Sequence, residues 1–193
     1  MIRRVLVGFL FSLVIFGLAA CGSSSSTKSR ANANRGANAS ACTPGPAISQ
    51  TADTSSYKIV LDVGRQEMMY TQAQVQAQHP TSGEVMLRGQ MVNMGKMGKM
   101  GTSASARHLE AHICNRSTGK VATDLQPAIT LVDNSAADMT DRVPSAVMRG
   151  TTSGQTDLHY GNNVIMPPSR HFTVTVVVGD QRATFHVQTP RAS

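Results

Sequence analysis

The sequence predicts an all-β protein: one β-sandwich of about seven strands over residues 57–190. Three observations carry this. Short Val-, Ile- and Thr-rich runs recur along the second half of the chain, several with apolar and polar residues alternating. Turn formers such as Gly179-Asp180 and Ser117-Thr118-Gly119 separate them. Helical periodicity is nearly absent. With 193 residues, 40% hydrophobic and only 4% aromatic, the chain has material for one domain of ordinary size with a Val/Ile/Leu/Met/Ala core.

The first twenty residues read as a targeting segment. Arg3-Arg4 is a basic start, Val5 to Leu18 an apolar run, and Leu18-Ala19-Ala20 leads to Cys21. This is similar to a bacterial lipoprotein signal, which implies cleavage before Cys21, lipid on its sulfur and a protein tethered to the outer side of a membrane. Several acyl chains hold such an anchor where one would not. Residues 21–56, rich in Ser, Ala and Asn, show no hydrophobic period and read as a disordered tether.

Within the domain, Tyr57–Val63 is a first strand ending at Gly64. Thr71 caps a short helix over Gln72–Gln78, which Pro80 stops. Glu84–Val92 reads as a second strand. The run that follows places Met91, Met94, Met97 and Met100 three apart. Thioethers in this spacing suit Cu(I). The favoured reading is a mobile Met-rich loop that touches its own sheet or a partner, since Met is more often packing material than ligand and two lysines inside the run oppose a cation. The strand His108-Leu109-Glu110-Ala111-His112-Ile113-Cys114 turns Leu109, Ala111 and Ile113 to the core. His108, Glu110, His112 and Cys114 then share the opposite face. That face offers transition-metal donors, or is simply the solvated side of a sheet. Ile129–Val132 is a further strand, and residues 136–156 read as a long connection with one short strand. Asp157 to Met166 forms a polar elbow before the next strand, with Asp157 and His159 as candidate ligands. Phe172, Val174, Val176 and Val178 then line one face of a strand over His171–Val178. Arg182–Val187 returns with Ala183, Phe185 and Val187 inward and His186 outward.

The formal charge of +7 is scattered, with no Lys/Arg stripe interleaved with aromatics, so no nucleic-acid partner is expected. There is no nucleophile elbow, no His-Glu-x-x-His pair and no phosphate-binding Gly loop, and an enzyme is not expected. A mixed His, carboxylate and Met set suits copper or iron. With Cys21 lipidated, Cys42 and Cys114 remain. They pair as a disulfide outside the cell, or Cys114 stays free beside His112 as a thiolate.

Thr118-Gly119-Lys120-Val121, Pro127 with its following strand, and His159-Tyr160-Gly161-Asn162-Asn163-Val164-Ile165-Met166-Pro167 leading into Phe172-Thr173-Val174-Thr175-Val176 resemble the periplasmic iron-transport-associated metal-binding proteins. The likeness spans roughly residues 105 to 188. It implies an immunoglobulin-like sandwich that binds copper or iron, working beside an iron permease or another envelope protein for uptake, buffering or delivery. It implies His159 as a metal ligand, Asp157 as its acidic neighbour, and His108 with Glu110 as a His-x-Glu pair. Met148 is the corresponding methionine, and His171 or His186 would stand in for a later histidine-rich segment. The alternative function is a surface lipoprotein whose immunoglobulin-like module binds a partner without metal.

Overall fold

The structure, a computed structural model, describes residues 42–45, 48–92, 105–136 and 140–191. The signal segment, Cys21, most of the tether and Met94, Met97 and Met100 lie outside the described residues. The strands are β1 (Ile48–Asp53), β2 (Tyr57–Arg65), β3 (Met69–Thr71), β4 (Glu84–Arg88), β5 (Ala106–Asn115), β6 (Ala128–Asp133), β7 (Thr140–Val143), β8 (Ala146–Gly150), β9 (His159–Ile165), β10 (His171–Val178) and β11 (Gln181–Gln188). Among the described residues one α-helix, α1 (Gln72–Gln78), links β3 to β4, and a 3-10 turn (Gln155–Asp157) precedes β9. A seven-stranded sheet runs β1-β2-β5-β9-β8-β4-β3, and a four-stranded sheet runs β11-β10-β6-β7. Neighbours are antiparallel except the parallel pair β3 and β4. The protein is therefore an all-β, immunoglobulin-like sandwich.

The core lies between the sheets. Period-two alternation turns Ile59, Leu61 and Val63 of β2, Leu109, Ala111 and Ile113 of β5, and Tyr160 and Val164 of β9 inward. They meet Phe172, Val174 and Val176 of β10 and Ala183, Phe185 and Val187 of β11. Each such side chain contributes on the order of 1.5–3 kcal/mol when fully removed from water. Tyr160 is fully buried, yet its hydroxyl donates to the Ala122 carbonyl and accepts from the Leu125 N–H, so its polar tip is satisfied.

Several expectations change. The described residues hold eleven strands rather than about seven. Folding begins before Tyr57, because Ile48–Asp53, expected in the tether, pairs along β2 as an edge strand. Its polar Ser, Gln and Thr residues need only one paired edge, so no hydrophobic period announces it. Residues 136–156 contain two strands, β7 and β8. The second predicted strand stops at Arg88, after a register shift between Met86 and Arg88. The polar elbow is a strand, β9, lying inside the larger sheet. Helix α1 matches its predicted span, with a complete capping box between Thr71 and Gln74.

The larger sheet is also covered on its outer face. In β5, His108, His112 and Cys114 are as buried as Leu109 and Ile113. Two segments lie along that face. Cys42 is disulfide-bonded to Cys114, with Cα atoms 6.0 Å apart, and Gly45 N–H donates to Asp62 Oδ1 at 3.3 Å. Asn163 holds Glu67 through two hydrogen bonds. On the opposite, inner side of β9, Asn162 donates to the carbonyls of Gln90 and Pro144 and accepts from the Val92 N–H.

Candidate metal centre

The covered outer face carries the chemistry. His108, Glu110 and His112 project from β5 onto it. Asp62 of β2 and Gly161 of β9 flank Glu110 from either side, and Asn163 lies opposite His108. His159 shares the face, two residues before Gly161, and pairs with Met148 of β8, which pairs in turn with Met86 of β4. Glu84 opens β4 on the same face as Met86. Gly161 leaves the room this layer needs, since a Cβ there would run into the Leu109 carbonyl.

Three imidazoles therefore meet beneath the surface. His108, His112 and His159 are at most 1% exposed. The His159 ring centroid lies 5.8 Å from that of His108 and 5.1 Å from that of His112. His159 Nε2 is 3.6 Å from Glu84 Oε2. His112 Nε2 is 3.0 Å from Glu110 Oε2 and 3.7 Å from Asp62 Oδ2. Two overlapping trios, Glu84/His108/His159 and Glu110/His112/His159, each bring donor atoms within 4.8 Å of one another.

Hydrogen bonds fix the tautomers of two rings. His159 Nδ1 lies 2.9 Å from the Asp157 carbonyl oxygen. A carbonyl only accepts, so Nδ1 carries a proton, and in the neutral ring Nε2 presents a lone pair. His108 Nδ1 lies 3.0 Å from Asn163 Oδ1. The amide of Asn163 is oriented by Glu67, whose carbonyl accepts from Nδ2 at 2.8 Å and whose N–H donates to Oδ1 at 3.2 Å. Oδ1 must therefore accept from His108 as well, and His108 Nε2 is also a lone pair. Neither Nε2, nor Glu84 Oε2, has a hydrogen-bond partner, although all three atoms are buried. Orienting a ligand ring through its second nitrogen is how proteins prepare a metal-binding imidazole.

Burial and the crowding of carboxylates shift the ionisation of these groups. Burial, followed by the nearby carboxylates of Glu110, Asp157 and Glu67, pushes the Glu84 carboxyl up to about 9. Burial likewise takes His108 down to about 4, against the pull of Glu110, so the ring is neutral at pH 7. Burial opposes the charge on Glu110. His159, the hydrogen bond to His112 and the other rings outweigh it and hold that carboxyl below the usual range. Glu67 is raised, by burial first and by Glu110 second.

Of the residues singled out in the sequence, the fold brings His108, Glu110, His112 and His159 together and sets Met148, fully buried, directly across from His159. Asp157 plays a supporting part. Its carbonyl orients His159, and its carboxylate accepts from the Gly150 N–H at 2.9 Å. His171 and His186 sit exposed on the four-stranded sheet, away from this face. The face that alternation marks as polar is buried rather than solvated. Sequence reading missed Glu84, Asp62 and Glu67. Asp62 had a signal, a lone carboxylate inside Ile59-Val60-Leu61-Asp62-Val63. Glu84 and Glu67 had none, since their neighbours in the centre are brought in by strands distant in the chain.

No family model matches this chain, and no curated protein matches it. Among solved structures, a DUF4426 family protein from Pseudomonas aeruginosa PAO1 is similar to it, with 9% identity and a TM-score of 0.40. The match covers 75% of this chain and 97% of that one. At that level the likeness assigns neither a family nor a function.

Proposed function

We propose that this is a lipid-anchored exported protein that holds a transition-metal ion, copper or iron, for uptake, buffering or delivery. It coordinates and hands over the ion and makes no covalent bonds in a substrate. One observation carries the reading: His108 Nε2, His159 Nε2 and Glu84 Oε2 converge, buried and without hydrogen bonds. Each such atom costs roughly 1–3 kcal/mol to bury unsatisfied, and a shared cation would relieve all three. Nitrogen and oxygen donors suit Cu(II) and Fe(II), and the thioether of Met148 beside His159 tilts the set toward copper. The resemblance to iron-transport-associated metal-binding proteins and the lipoprotein-like Leu18-Ala19-Ala20-Cys21 agree with this assignment, and a metal permease in the same membrane is the partner it implies.

Calorimetric titration of the full chain in detergent, with Cu(II) and with Fe(II), tests the proposal. One ion should bind per chain, well below micromolar Kd, and His159→Ala should weaken it by about a hundredfold or more, a loss of roughly 3 kcal/mol. Binding no tighter than micromolar, or an unchanged affinity in His159→Ala, would leave the metal-free interaction module as the better reading.

A further inference from the structure

The donors of the centre are closed off from solvent: His108 and His159 are at most 1% exposed, and the Glu84 side chain is 10% exposed. An ion reaching them requires part of the protein to move. The segment Gln66–Met68 is the piece built for that. It joins β2 to β3 without regular structure and is fixed at two points, both belonging to the centre. Asn163 grips the Glu67 peptide from both sides, donating to its carbonyl and accepting from its N–H. The Met68 carbonyl accepts from the N–H of Glu84 at 2.7 Å. Between these anchors the segment carries the Glu67 carboxylate, whose electrostatic neighbours are Glu110 and His159. Met68 itself is 64% exposed, so the far side of the segment faces water.

We propose that Gln66–Met68 is a strap closed over the metal centre and latched by Asn163, and that ions enter and leave when this latch opens. The inference rests on the metal-binding reading above and adds how the site is controlled. Asn163 Oδ1 accepts at once from the strap, at Glu67 N–H, and from the ligand ring, at His108 Nδ1–H. Coordination at Nε2 withdraws electron density from the ring and makes its Nδ1–H a stronger donor. That holds the Asn163 amide, and with it the strap, more firmly. That gain is a fraction of one hydrogen bond, so the closed strap adds little to affinity and acts mainly on the rates of entry and release. The Glu67 carboxylate is the first ligand an incoming cation meets.

Stopped-flow loading of the full chain with Cu(II), and its extraction by excess EDTA, read the two rates. In Gln66→Gly/Met68→Gly, which loosens the strap and leaves Asn163 and every ligand in place, both should rise about tenfold or more, while Kd moves by less than about threefold. Hydrogen exchange at the Glu67 amide should quicken in the same variant even without metal. A rise in the extraction rate alone, with Kd weakened in proportion, would mean a damaged ligand set and would overturn the gate. So would unaltered rates in a protein that still takes up Cu(II). Failure of the wild-type chain to bind Cu(II) at all overturns the metal reading, and the gate with it.

Discussion

Glu84 and His108 stand a few ångströms apart and titrate in opposite senses, which gives the metal-free protein a distinctive pH response. Glu84 keeps its proton up to about 9 in the folded state, against an ordinary 4.5. Between those values the folded chain holds a proton that the unfolded chain releases, so stability falls as pH rises. His108 stays neutral down to about 4, against an ordinary 6.5. Between those values the unfolded chain holds the extra proton, so stability rises with pH. The two slopes offset each other between 4.5 and 6.5, and above 6.5 Glu84 acts alone. The melting temperature of the metal-free protein should therefore decline from pH 6.5 to 9, and Glu84→Gln should flatten that decline. A profile equally steep in Glu84→Gln would place its origin elsewhere. The His108/Glu110/His112 triplet was legible because period two needs only one strand to reveal it. Glu84 was not, since its place depends on β4 joining the sheet beyond β8, a pairing of segments some sixty residues apart. Asp157 drew notice as a carboxylate near His159, yet it is its backbone carbonyl that reaches the ring.

At the scale of elements, β9 was the hardest to read. Gly161, Asn162 and Asn163 are turn formers by local preference, and tertiary contacts override that preference. Each asparagine trades a turn for hydrogen bonds to a segment crossing nearby, Glu67 in one case and Gln90 to Val92 in the other. Gly161 is required by the close approach of β5. Gly161→Ala should push β9 from β5, destabilise the domain by about 1–3 kcal/mol and lower metal affinity at the same time. Urea unfolding and the Cu(II) titration check the two effects, and a variant of wild-type stability would contradict the close approach. Strands β10 and β11 were plain in the sequence because one face is apolar at every second residue. Helix α1 was equally plain, since Thr71 and Gln74 form a local cap, although it buries no residue and adds little to the core.

For the whole molecule, the disulfide between Cys42 and Cys114 closes a loop spanning a sequence separation of 72. Loop-closure entropy for that length corresponds to about 4 kcal/mol. The paired variant Cys42→Ser/Cys114→Ser should unfold at a clearly lower urea concentration. It should also free Gly45 from Asp62, so that amide exchange at Gly45 quickens. An unchanged midpoint would mean that the bridge adds nothing to the folded domain. The bridge ties the start of the described domain to the end of β5, two residues from His112. Among the described residues no helix is long and apolar enough to cross a membrane.

Strand β5 is a wall between two unlike interiors, hydrocarbon on one side and imidazole and carboxylate on the other. Apolar side chains of similar volume on the second side would fold at least as well, because buried ionisable groups rarely stabilise as much as the packing they displace. Selection for a durable fold alone would erase such a layer within a few substitutions. Its presence records a demand other than durability, and sets the stability of this protein below what its own backbone could support.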